Sequence, residues 1–358
     1  MRTTLLLLLA VMFASSVFAQ NNPKAKEIVN EAIKHVDEGD YKTGIKLLQE
    51  AQKLEPEDVD ITYEIGYAYY LDKDYKKAIQ ILEKIKSDKK AKDYVFQLLG
   101  NAYDNLGKTE DALAAYKDGL KKFPNSGRLY LEQGTLWMRQ KEYNKALDLY
   151  EAGIKADPDF ASNYYWAAKL YCSSSEEVWG MIYGEIFMNI ERGSKRTAEI
   201  SKLLYDTYKE QITFPNDTST RISFSKNMTL NVDKLEGGKI KLPFGNMGYE
   251  MILSLSTVGT RKINIQSLDK IRTNFVDLYY SNGKDKEYPN LLFEYQKKVK
   301  DAGHLQAYNY WILMKGDDQG FSNWLEGNKE AYEKFIAWFK DNAMVVDDEH
   351  KFHSSQYD

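Results

Sequence analysis

The sequence predicts a mainly α chain, in which an array of stacked helix hairpins is followed by a small, mostly helical α+β region. Three observations carry this expectation. Small residues recur at a fixed spacing through the first half, apolar residues recur every three or four positions around them, and that helical period stops after Gln211. With 43% hydrophobic and 28% charged residues among 358, the chain is globular and not disordered. Lys and Arg total 49 against 53 Asp and Glu, so no basic excess suggests a nucleic-acid partner. The single cysteine, Cys172, excludes an internal disulfide and any zinc site of the paired-cysteine type.

Residues 1–19 read as a secretory signal. Arg2 precedes the apolar run Leu5 to Phe13, and Val17 and Ala19 fit a cleavage site, which places the cut after Ala19. The run is shorter than the roughly 20 residues a bilayer needs, which favours cleavage over anchoring. No cysteine follows the cut, so a lipid anchor is not expected, and no later stretch is apolar enough to span a membrane. The expected location is therefore outside the cytoplasm, periplasmic in preference to extracellular. In that setting Cys172 reads as a buried small hydrophobe.

Residues 25–158 read as four copies of one unit. Ala32, Gly66, Gly100 and Gly134 form one column, each 34 positions after the last. Gly44, Ala78, Ala112 and Ala146 form a second with the same step. Pro56, Pro124 and Pro158 form a third, in which Lys90 is the exception. Each copy carries two apolar stripes at helical spacing, such as Phe96, Leu99 and Tyr103, then Leu113, Tyr116 and Leu120. Helix axes that approach to about 8–10 Å leave little room for a side chain, which accounts for the small residues. Gly107 and Lys108 make the turn, and Pro124 ends the second helix. Gly100→Leu is expected to overpack this seam, at a cost of at least about 1–3 kcal/mol.

This 34-residue unit resembles the tetratricopeptide repeat family. The third copy carries Phe96, Leu99, Gly100, Tyr103, Gly107, Ala112, Tyr116, Gly119 and Pro124 at the signature offsets, and the fourth carries Tyr130, Gly134, Trp137, Tyr143, Ala146, Tyr150, Gly153 and Pro158. The second keeps Ile65, Gly66, Tyr69, Tyr75, Ala78 and Leu82. The first diverges, with Glu31 and His35 where large apolar residues are usual. The resemblance implies an α-solenoid. Continuing the period through Ala168 and Gly180 suggests a degenerate fifth pair across about 161–190, with Ser173, Ser174 and Ser175 at its turn. A helix over Ser194–Tyr208 would then cap the stack, so that 159–212 forms a fifth repeat plus cap.

Residues 213–358 read as a small α+β domain packed against the last repeat. Ile222, Phe224, Met228, Leu230 and Val232 alternate as in a strand or a bent hairpin arm, and Ile240, Leu242 and Phe244 alternate again after Gly237–Gly238. Helical spacing returns from about Ser267, then across Leu291–Val299, His304–Met314 and Glu330–Asn342.

Little in the chain points to catalysis. His304 precedes Tyr308, Tyr310 and Trp311 and reads as a structural histidine, as does His35. Asp347, Asp348, Glu349, His350 and His353 could gather a divalent ion, but terminal charge runs are usually mobile and solvated. The sequence has no phosphate loop, nucleophile elbow or helical zinc motif. No catalytic residue, metal ligand or cofactor is therefore expected.

The resemblance does imply a binding surface on the concave face of the first helices. Its positions here are Tyr63, Tyr67 and Tyr70 in the second copy. They are Gln97, Asn101, Asp104 and Asn105 in the third, and Leu131, Thr135, Met138 and Arg139 in the fourth. These mostly lack the basic residues with which some relatives clamp acidic tails. The expected function is a non-catalytic scaffold that binds a protein or peptide in a bacterial envelope, without nucleic acid and without stable membrane insertion. The competing readings are a C-terminal enzyme or small-molecule-binding domain brought to a partner by the repeats, and a purely architectural spacer.

Overall fold

The computed structural model describes residues 22–226 and 242–357, so the expected signal over 1–19 lies outside the described residues. Acidic residues cap three of the described repeat helices. Asp40, Asp58 and Asp74 accept from the backbone N–H groups of Thr43, Ile61 and Lys77, which satisfies donors that a helix N-terminus leaves open. The chain divides into two compact units, one ending at Ala112 and one beginning at Leu113.

The first unit contains α1 (Pro23–Asp37), α2 (Tyr41–Leu54), α3 (Val59–Leu71), α4 (Tyr75–Ile85), α5 (Asp93–Asn105) and the start of α6 (Thr109–Lys122). The two small-residue columns fall on first and second helices respectively, and their members are buried. A Cβ on Gly66 would lie 3.0 Å from Leu82, and one on Gly44 would lie 2.5 Å from Val36 Cγ2. The columns therefore mark the closest approach within each hairpin. Each turn needs one left-handed residue, supplied by Gly39 (φ 86°), Lys73 (φ 63°), Gly107 (φ 74°) and, in the second unit, Lys141 (φ 62°). This fourth periodic column is hidden in the sequence because Lys replaces Gly in two of its members.

The second unit continues with α7 (Gly127–Arg139), α8 (Tyr143–Ala156), α9 (Ala161–Tyr171) and α10 (Glu177–Ile190). The fifth hairpin is thus α9–α10, with the three serines in its turn. Next comes α11 (Lys195–Gln211), which Ser194 and Thr197 open as a reciprocal capping box. Twelve of the fourteen residues of α10 are buried. A helix apolar on every side must be surrounded. Here α10 packs on α9 and α11 and forms part of the core of the whole unit.

After α11 the antiparallel pair β1 (Ile212–Asn216) and β2 (Ser219–Ile222) places Ile212 opposite Ile222, with an irregularity between Thr213 and Asn216 where Pro215 sits. The strand expected to start at Ile222 therefore ends there, and Met228 to Ile240 lie outside the described residues. The expected strand through Phe244 is a helix. Pro243 precedes a π-helical segment, Phe244–Glu250, that runs into α12 (Met251–Ser256). Three alternating apolar residues are too short a pattern to separate the two, and the sequence reading missed this helix.

The remaining helices are α13 (Ile265–Ser281), α14 (Lys284–Glu287), α15 (Leu291–Asp301), α16 (Leu305–Leu313) and α17 (Asp318–Asp341). Among the described residues, no helix is long and apolar enough to cross a membrane. The terminal charge run is exposed as expected, but the chain after it returns to the core. Asp347, Asp348 and Glu349 are exposed, but beyond them Phe352 is fully buried and Tyr357 stacks on Phe244 at 4.4 Å. Ser354 closes the link, because its Oγ donates to Glu151 (2.6 Å) and its N–H to the Tyr183 hydroxyl (2.7 Å).

Candidate functional site

The positions implied for partner binding fall in both units. On α3, Tyr63, Tyr67 and Tyr70 are spaced four and three apart, so they share one helix face, and all three are half-buried. The Tyr63 and Tyr67 rings lie nearly parallel with centroids 6.2 Å apart, and Tyr63 also tilts against Tyr94 of α5 at 4.4 Å. On α5, Gln97, Asn101 and Asp104 are half-buried and Asn105 is exposed. Asn105 Nδ2 donates to the Tyr70 hydroxyl (3.1 Å) and to the Asn101 carbonyl (2.8 Å). The α3 and α5 residues thus form one aromatic and amide strip across two repeats.

Tyr94 belongs to this strip although the sequence reading did not select it. Its hydroxyl donates to Asp60 Oδ1 at 2.6 Å, and burial together with that carboxylate pushes its pKa above the usual tyrosine value. The available signal was the period itself, since Asp60 and Tyr94 occupy the same position in successive repeats.

In the first two repeats the strip adjoins a pocket of about 270 Å3, lined by α1, α3 and the link between α2 and α3. In the second unit the implied positions are less available. Leu131 and Met138 lean on the hydrophobic core, and the Thr135 hydroxyl donates to the Leu131 carbonyl (2.9 Å). Arg139 is exposed in the last turn of α7.

Groups that could serve chemistry elsewhere are engaged in structure. The His304 ring lies against Trp338 at 5.3 Å and Phe335 at 6.4 Å, and burial lowers its pKa. The Ser173 and Ser174 hydroxyls donate to the carbonyls of Lys169 and Tyr171 at the end of α9. The Cys172 residue is half-buried, but its sulfur sits where a Cβ on Gly180 would be 2.5 Å away, and burial pushes the thiol up to about 12. His35 lies 3.4 Å from Asp40, and His350 lies 2.9 Å from Asp347. Among the described residues, no three His, Cys, Asp or Glu side chains gather as metal ligands would.

Two family models, both described as tetratricopeptide repeat, match residues 35–102 and 98–159. Among solved structures the chain is similar to MamA (residue 41 to the end) from Desulfovibrio magneticus RS-1, at 16% identity over 49% of this chain and 99% of that one, with a TM-score of 0.38. It is similar to a thermophilic TPR protein of Thermus thermophilus, at 17% identity over 50% and 98%, with a TM-score of 0.41. It is also similar to PilF of Pseudomonas aeruginosa, at 15% identity over 52% and 84%, with a TM-score of 0.43. No curated protein matches the chain.

Proposed function

We propose, for a chain whose residues 35–159 belong to the tetratricopeptide repeat family, a non-catalytic scaffold that binds a protein or peptide along the inner face of its first helices in a bacterial envelope. The observation that carries this reading is the strip formed by Tyr63, Tyr67, Tyr70, Asn101 and Asn105. An asparagine amide offers both a donor and an acceptor to an extended backbone. Tyrosines add rigid contact area at low entropic cost. The location outside the cytoplasm rests on the signal pattern of residues 1–19.

The reading of residues 213–358 as an enzyme or small-molecule binder would rest on an open cleft of about 420 Å3 that includes Asp269, Lys270 and Lys300. There Asp269 already accepts from Asn309 (2.9 Å) and Gln306 (3.2 Å), and Lys300 is paired with Asp277. Those bonds favour a structural role.

Photo-crosslinkers placed in cells at Tyr67 or Asn101 test the binding mode, and capture of a discrete partner is expected from both. Capture through an α2 surface position such as Lys46, with none from Tyr67 or Asn101, would end the proposal. N-terminal sequencing of the mature protein tests export, with Gln20 the expected first residue.

A further inference from the structure

The pocket between α1 and α3 in the first two repeats joins an apolar floor to an acidic rim. Val29 and Ile33, one turn apart on α1, form the floor with the buried Ala25 and Ile61. The rim carries four carboxylates, Glu55, Asp58, Asp60 and Glu64, against one amine, Lys26. Three of these carboxylates have local partners. Glu55 accepts from the Asn22 N–H (2.7 Å), Asp58 caps α3 through the Ile61 N–H (2.9 Å), and Asp60 holds the Tyr94 hydroxyl.

Glu64 is different. It is half-buried and has no hydrogen-bond or ion-pair partner among the described residues. The charges facing it are Asp60 on its own helix and Asp37 on α1. Burial first, then those two like charges, hold its carboxyl above the ordinary glutamate value. A carboxylate held partly dry among like charges, above apolar side chains, is in an environment that a cation would improve.

We propose that this pocket receives a cationic segment of the bound partner, a Lys or Arg beside an apolar residue. The charge meets Glu64 and Asp60, and the apolar side chain packs on Val29, Ile33 and Ile61. This rests on the inner-face reading above and specifies its ligand. Charge complementarity selects the occupant, because the lining is acidic and its one cation among the described residues is the exposed Lys26. It is the opposite preference to a clamp for acidic tails.

The test uses the full chain and three labelled peptides of equal length that alternate leucine with lysine, glutamate or serine, read by fluorescence anisotropy. The lysine peptide is expected to bind at least about tenfold tighter than the others at low salt, with the difference shrinking as salt screens it. Glu64→Gln is expected to weaken the lysine peptide several-fold and leave the serine peptide unchanged, and Asp60→Asn to act in the same direction. Thermal melts of both variants confirm folding.

Equal binding of all three peptides, or a Glu64→Gln variant without effect, overturns the proposal. If Tyr67→Ala and Asn101→Ala still weaken every peptide in that case, the inner-face reading survives. Absence of all binding together with failed crosslinking at Tyr67 and Asn101 overturns both. Self-association of the chain that Glu64→Lys abolishes would replace the cationic segment with a second copy, and would also overturn it.

Discussion

The Arg272 guanidinium and the Glu185 carboxylate meet two-on-two, at 2.8 and 2.7 Å, with their side chains only 5% and 3% exposed. Gln296 and Tyr308 both donate to Glu185 Oε1, and Arg272 Nε donates to Asn309 Oδ1. One charge pair therefore ties α10 to α13, α15 and α16. Beside it lies a cavity of about 20 Å3, room for about one water.

Removing one member of such a pair strands the other. Arg272→Met is expected to cost about 3–5 kcal/mol in denaturant unfolding, whereas Arg272→Met with Glu185→Leu should recover a large part of that loss. A single variant as stable as the parent would show that the pair does not hold these helices together.

Gly134 is tighter than Gly66 in the first small-residue column. A Cβ there would lie 2.4 Å from Tyr150 Cε1. Gly134→Leu is expected to lower stability by about 1–3 kcal/mol or more, measured by urea unfolding. Gly39→Ala probes a different cause. Nothing lies within 4 Å of that Cβ, so its expected loss of about 1–2 kcal/mol comes from the left-handed backbone alone.

Glu64 gives a pH-dependent signature. Its pKa is raised on folding, so between its unfolded and folded values the native state binds more protons than the unfolded one, and stability falls as pH rises through that window. Glu64→Gln removes the penalty. The variant should melt higher than the parent near about pH 7, and the difference should vanish below the ordinary glutamate pKa of about 4.3. A lower melting temperature at neutral pH would indicate a favourable partner for the carboxylate.

The end of the chain should behave as part of the core. Phe352→Ala is expected to cost about 3–5 kcal/mol, and Ser354→Ala less, because one hydroxyl donation to Glu151 is lost. Limited proteolysis should release the C-terminal residues readily from Phe352→Ala and slowly from the parent.

The repeats were legible because their constraints are local and periodic. Ala32, Gly66, Gly100 and Gly134 must be small wherever two helices touch, and the same requirement recurs every hairpin. The helix opening at Ser194 was equally readable, from its apolar spacing. Beyond Gln211 the constraints become long-range. Phe244 starts a helix because its ring packs among Tyr288, Phe293 and Tyr357, residues far along the chain. The Glu151–Ser354 link spans most of the second unit and leaves no sequence pattern. At the candidate site, Tyr63, Tyr67 and Tyr70 of α3 followed from the family resemblance, which implies the inner-face positions of a first helix. The Glu64 environment was not, because it depends on Asp37 from a neighbouring helix.

The enclosure of α10 limits how this array can vary over evolution. A solenoid usually lengthens or shortens by duplicating or losing a hairpin at little cost to its neighbours. Here the last hairpin has surrendered its outward face to the helices of the C-terminal region, so an extra copy spliced after it would find no surface to stack on. Change in repeat number is left to the first hairpins of the chain, where a gained or lost copy would also redraw the pocket of α1 and α3.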